Sequence, residues 1–125
     1  MGIIDGLLGN ATEVDLDDLE EEFAPILADN ESIKLGYKVV RDLFVFTNRR
    51  LILVDKQGLT AKKIVYRSIP YLSISTFEVE TNGYFDVDAE LRIWLAGQPE
   101  PIVKDLRNKD NVLAIQKTLA GFMLV

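Results

Sequence analysis

Asp86, Asp88, Glu90 and Arg92 fall at alternate positions of this chain, and Trp94 continues the series. Successive strand residues point to opposite faces, so this spacing sets all five on one side of a single strand. The odd positions between and around them, Phe85, Val87, Ala89, Leu91, Ile93 and Leu95, are apolar and belong to the other side. Neighbouring carboxylates invite comparison with glycoside hydrolysis, where two acids flank the scissile bond. No cleft or sugar platform accompanies them, and that chemistry is set aside. The alternation needs no more than a solvent-facing strand; the functional reading is a protein-binding surface, in which Trp94 beside charged residues has the composition of an interface anchor.

Two other groups of charged residues have chemical potential. Thr47-Asn48-Arg49-Arg50 joins two apolar segments. Asn48 suits the left-handed conformation of a tight turn, and the forked guanidinium groups of Arg49 and Arg50 are able to pair with carboxylates of a neighbouring molecule. The run Asp15, Asp17, Asp18, Glu20, Glu21 and Glu22 resembles a calcium loop only in charge. Leu19 falls where the third ligand of such a loop belongs and no glycine follows it, so the run reads as the solvated face of a helix.

Most catalytic classes are closed to this sequence. It has no histidine and no cysteine. Zinc sites of the common kinds, Ser-His and Cys-His relays, disulfides and a histidine general base are therefore absent, and no enzyme activity, metal or cofactor is expected. The formal net charge is −6. It is unevenly placed, because ten acidic and no basic residues precede Lys34, which leaves 14 basic and 10 acidic residues, a balance of +4, for the rest. That excess is scattered, so nucleic acid is not an expected partner. The acidic N-terminal part also disfavours an anionic membrane surface. No apolar run approaches the ~20 residues of a membrane span, and residues 1–10 lack the pattern of a signal peptide. The myristoylation pattern fails at Gly6. A cytoplasmic protein is expected.

The elements that position these residues are mostly strands. Residues 1–31 read as an acidic, amphipathic helical segment that packs on the domain or on a neighbour. Within it, Ile3, Ile4, Leu7 and Leu8 share one helical face. A second helix over Val14 to Leu27, capped by Thr12, would bury Leu16, Leu19, Phe23 and Ile26. Residues 32–125 form the main domain. Strands are expected around Ile33 to Val39, Leu43 to Phe46, Leu51 to Val54, Ile64 to Arg67, Ser73 to Thr81, Phe85 to Leu95 and Ile102 to Leu106, with turns at Arg41-Asp42, Asp55 to Gly58 and Asn82-Gly83. A helix over 109–125, capped by Asn108, closes the chain. About seven strands without intervening helices make an antiparallel sandwich or partly open barrel.

Two details sharpen this outline. Leu43 to Phe46 and Leu51 to Val54 are apolar at every position, so both faces of each strand need a cover. A sandwich core supplies one; the other must be a helix of the same chain or a second subunit. Across the Asn82-Gly83 turn the apolar residues are odd-numbered on both sides, Phe77 and Val79 before it and the series from Phe85 after it. Odd cannot oppose odd across a plain two-residue loop, so a three-residue loop or a bulge is expected.

Arg41 to Gly58 (RDLFVFTNRRLILVDKQG), Ser68-Ile69-Pro70-Tyr71 and Phe77 to Leu91 (FEVETNGYFDVDAEL) together resemble the bacterial pleckstrin-homology-like family in its short, single-domain form. The resemblance extends from the N-terminal GLLGNATEVD to the C-terminal helix. It implies a seven-stranded PH-like sandwich capped by that helix, and self-assembly into a cyclic ring, five-membered for short members, with a hydrophilic surface where strands of adjacent protomers meet. Phosphoinositide binding is not implied here: the loop between the first two PH strands is only about Arg41-Asp42, too short for a phosphate cradle. The closing helix also carries Phe122 and no tryptophan.

The function expected from these readings is a non-enzymatic, self-assembling scaffold or protein-interaction module. Its partners would be further copies of itself, as a cyclic pentamer, and a protein or peptide that meets Asp86, Asp88, Glu90, Arg92, Trp94, Arg49 and Arg50. The alternative is a lipid or membrane-surface binding module, which rests on the fold and the apolar N-terminal segment.

Overall fold

The computed structural model describes residues 11–39, 42–57, 63–81, 89–106 and 109–124. In chain order these form β1 (Ala11–Glu13), α1 (Leu16–Phe23), β2 (Ile33–Val39), β3 (Asp42–Thr47), β4 (Arg50–Gln57), β5 (Lys63–Pro70), β6 (Ile74–Thr81), β7 (Ala89–Leu95), β8 (Ile102–Asp105) and α2 (Lys109–Met123). All pairings are antiparallel, within one sheet of order β1-β2-β3-β4-β5 and another of order β6-β7-β8. The strands β2 to β8 are the seven expected; β1 is an addition at the edge of the first sheet.

The doubly apolar strands find both covers within the chain. In β3 and β4, Phe44, Phe46, Leu51 and Leu53 face the second sheet and α2, in a core shared with Leu91, Ile93, Leu106, Ile115 and Leu119. Their neighbours Leu43, Val45, Ile52 and Val54 point the other way and pack with Ile33 under Leu19 and Phe23 of α1. The register makes this possible, because Phe44 opposes Leu53 and Val45 opposes Ile52, so each apolar row continues unbroken across the pair. This face is therefore covered without a second subunit.

Helix α1 is shorter than its apolar spacing predicts. Asp15, not Thr12, caps it: Asp15 Oδ1 accepts from the backbone N–H of Asp17 at 2.8 Å. Thr12 lies in β1, opposite Lys38. Pro25 sits in a single 3-10 turn, Ala24–Ile26, that follows the helix. A helix of two turns turns only one pair of residues squarely to the sheet: Leu19 and Phe23 are 1% exposed, whereas Leu16 and Ile26 are 41% and 45% exposed, against expectation. Close approach of α1 to β2 depends on Gly36, where a Cβ would stand 2.6 Å from Leu19 Cδ1.

The C-terminal helix is fixed by a run of aromatic rings. Phe122 stacks on Tyr71 with centroids 5.0 Å apart and on Phe46 at 5.9 Å, and Phe46 meets Tyr37 edge-on at 6.3 Å. Stacked and edge-on rings are the favoured arrangements of aromatic quadrupoles. A single phenylalanine thereby holds α2 against β3 of the first sheet and the 3-10 turn Tyr71–Ser73 that links the two sheets. On the other side of the core, Lys104 of β8 reaches Asp42 and Asp55, each at 3.6 Å, and ties the second sheet to β3 and β4.

One turn expectation changes and one agrees. Asp55, Lys56 and Gln57 do not turn but continue β4, paired with Val65, Ile64 and Lys63, and Gly58 lies outside the described residues. The hairpin after β6 has the expected parity, with Phe77 opposite Ile93 and Val79 opposite Leu91. The loop that achieves it, the residues 1–10 segment, Arg41 and the Asn108 cap lie outside the described residues.

Candidate functional site: the outward face of the second sheet

The hairpin register assembles the site. Even-numbered residues of β6 and β7 share the outward face, where Thr76 opposes Trp94, Glu78 opposes Arg92 and Glu80 opposes Glu90. Arg92 lies at the centre of three carboxylates. Its Nε donates to Glu78 Oε1 at 2.9 Å, one Nη to Glu80 Oε1 at 2.7 Å, and the other Nη to Glu90 Oε1. Bonds to Glu80 and then Glu78 raise the guanidinium further above its already high range. Of the expected site residues, Glu90, Arg92 and Trp94 are thus brought together. Asp86 and Asp88 lie outside the described residues.

Trp94 is half-buried rather than fully exposed. It borders a shallow, open depression lined by Ser75, Thr76, Glu78 and the 95–99 turn. A register shift between Ile74 and Thr76 puts a bulge at Ser75, whose hydroxyl donates to the Trp94 carbonyl at 3.2 Å. Gly97 has φ of +80°, the left-handed conformation that lets the turn after β7 fold back tightly. Bulge and turn together open the depression.

Arg50 lies apart from this face and finds its hydrogen-bond partners within its own chain. It lies in a clamp inside the molecule, where Nε and Nη2 grip Glu31 at 2.7 and 2.9 Å, Nη2 also meets the Ile26 carbonyl at 2.9 Å, and Nη1 meets Ser68 Oγ at 2.6 Å. The Glu31 side chain is 1% exposed and also accepts from Thr47 Oγ1 at 2.7 Å and the Ala28 N–H at 2.9 Å. The Arg50 bond, with the Ala28 and Thr47 bonds and the Arg50 charge behind it, outweighs burial and lowers Glu31 to about 2. The guanidinium finds its carboxylate 19 residues upstream in its own chain. Arg49 is exposed and donates through Nε to the Asn30 carbonyl at 3.2 Å. Asn48 completes the junction: it accepts from the Ser32 N–H at 2.8 Å and donates to Asn30 at 3.1 Å. The Thr47–Arg50 turn is a fastening for the segment after α1.

Sequence reasoning missed Glu78 and Glu80 as members of the face. Their signal was present, since even positions carry the acids on both sides of Asn82-Gly83, and odd-to-odd pairing implies even-to-even pairing. It missed Glu31 as the partner of Arg50 because nothing in an acid-rich segment marks which acid turns inward.

Residues 2–123 match the family described as the bacterial PH domain. The chain belongs to that family. Among solved structures, a pleckstrin homology domain from Shewanella amazonensis SB2B is 58% identical, with a TM-score of 0.87 over 99% of this chain and 100% of that one. A family protein with a pleckstrin-homology domain from Shewanella loihica PV-4 is also 58% identical, with a TM-score of 0.79 over 93% of this chain and 99% of that one. The uncharacterized protein YjqA of Bacillus subtilis (strain 168) is 53% identical over 122 residues, 97% of this chain and 98% of its own length. In this bacterial PH domain the capping helix is α2, and Phe122 is the aromatic that seats it. Only two positions, 40 and 41, separate β2 from β3, so the loop expected to be short is short. Among the described residues no three His, Cys, Asp or Glu gather as a metal site, and no helix is long and apolar enough to cross a membrane.

Proposed function

We propose that this bacterial PH domain is a non-enzymatic interaction module that assembles with copies of itself and presents the outward face of β6 and β7 to a protein or peptide. The observation that carries the reading is Trp94: an aromatic ring half-buried at the margin of a depression, beside the charged cluster of Arg92, Glu78 and Glu80. Such a ring offers a large contact area at little conformational cost, as in interface hot spots. Self-assembly is supported by β5. Among the described residues it is one outer strand of the first sheet, its residues 63–68 are all exposed, and of these Ile64, Val65 and Tyr66 are apolar or aromatic. An edge of that composition is a template for another chain. Head-to-tail use of it closes into a ring when the rotation divides a full turn, and the family resemblance favours five copies. Chemistry is disfavoured by the missing histidine and cysteine.

Light scattering coupled to size exclusion should give an assembly that Ile64→Lys reduces to monomers. A wild-type monomer throughout the micromolar range would overturn the assembly. Comparing proteins captured by the wild type and by Trp94→Ala tests the face; identical captures would remove Trp94 from the reading.

A further inference from the structure

We propose that the outer edge of β6, with the depression beside Trp94, binds an extended basic polypeptide segment by strand addition; this rests on the interaction-module reading above. Among the described residues β6 pairs only with β7, so along Ile74–Thr81 one row of backbone N–H and C=O groups faces outward. A strand laid there would gain main-chain hydrogen bonds, with side-chain pockets adding selectivity.

Charge decides which strand. Among the described residues, the outward face of this sheet carries Glu78, Glu80, Glu90 and Asp105 against Arg92, four carboxylates to one guanidinium. Arg92 occupies one oxygen each of Glu78, Glu80 and Glu90, yet Glu78 and Glu80 remain 49% and 64% exposed at the edge itself. Side chains two residues apart on an added strand would lie beside these two carboxylates, and Lys or Arg there would make charge-assisted bonds with the oxygens left over. Towards the start of β6 the bulge at Ser75 turns the edge into the depression, where the Trp94 ring offers an apolar wall for one further side chain. The β5 edge carries the opposite sign: it exposes Lys63 and Arg67, which would repel the same segment. The β5 and β6 edges thus discriminate by charge.

The test uses the full chain and a fluorescent peptide of about eight residues, the length that spans β6, alternating lysine with valine and bearing one leucine at the end facing Trp94. Anisotropy should show saturable binding that weakens with salt. Glu78→Gln with Glu80→Gln should weaken it about tenfold or more, as expected for two lost charge-assisted bonds. Trp94→Ala should weaken it too. N-methylating alternate amides of the peptide should abolish binding; this control needs no variant of the protein. Equal binding by the N-methylated peptide would overturn strand addition. Equal or tighter binding, dependent on Trp94, by a peptide with glutamate in place of lysine would overturn the basic partner and leave the module reading standing. If no peptide of either charge binds, both fall. If the lysine peptide binds only after Lys63→Glu with Arg67→Glu has dissociated an assembly, the edge is occupied by β5 of a second copy and the proposal is overturned.

Discussion

The Glu31–Arg50 pair gives the sharpest quantitative test of this structure. Glu31→Gln keeps shape and removes charge, leaving Arg50 gripping a neutral amide with its side chain still largely buried. Breaking one partner of a buried pair costs roughly 3 to 5 kcal/mol. The titration gives a consistent figure: a carboxyl lowered from 4.5 to about 2 on folding favours the folded state by about 3 kcal/mol near neutrality, at about 1.4 kcal/mol per unit. Because the folded value is the lower one, this contribution is complete above the unfolded value and fades as pH falls from about 4.5 towards 2. At pH 3 about 1.4 kcal/mol should remain. Urea unfolding of the wild type and Glu31→Gln at pH 7 and pH 3 reads the difference directly, since other carboxylates titrate in both proteins and cancel. The gap between them should shrink by about half or more. A gap that is the same at both pH values, or below about 1 kcal/mol at pH 7, would refute the account of a buried, charge-stabilised clamp.

Three further predictions probe the packing. Phe23→Ala should destabilise by about 3 to 5 kcal/mol while Leu16→Ala stays near zero, because only the former fills the layer under α1; thermal or urea denaturation separates them. Gly36→Ala should cost about 1 to 3 kcal/mol by driving Leu19 off β2, and the same change made in Leu19→Ala should cost less, a non-additivity that a double-mutant cycle measures. Tyr71→Phe removes a hydroxyl that donates to the Thr47 carbonyl at 2.8 Å and keeps the ring on Phe122, so a loss of about 1 kcal/mol is expected in the urea midpoint.

Where the sequence carried a period, it predicted well. The uninterrupted apolar runs of β3 and β4 required two covers, and the structure has two; the alternation of β7 by itself separates Leu91 and Ile93 from Arg92 and Trp94. What periodicity does not encode is which cover is used and where a short helix stops. Thr12 and Asp15 are both acceptable caps in isolation, and strand pairing by β1 decides between them. Likewise an arginine in a turn gives no sign of its partner. Arg50 turns inward because the residues 28–32 loop brings Glu31 beneath it, a long-range fact absent from local spacing. The face around Trp94 was partly legible: its β7 row followed from alternation and its β6 row was implied by the odd-to-odd pairing, while which acid stands opposite Arg92 is fixed by the hairpin register.

The two apolar layers on either side of β3 and β4 differ in what they depend on. The layer between the sheets is enclosed by β3, β4, the second sheet and α2, and none of its buried members comes from α1. The layer under α1 exists only because β3 and β4 are already in place. Openings of the molecule therefore have a fixed order. The N-terminal helix is able to leave while the sandwich stays intact, exposing Val45, Ile52 and Val54, but loss of the sandwich removes the platform on which that helix rests. Amides whose protection depends on α1 should accordingly exchange through a cheaper, local excursion than those at the heart of β3 and β4.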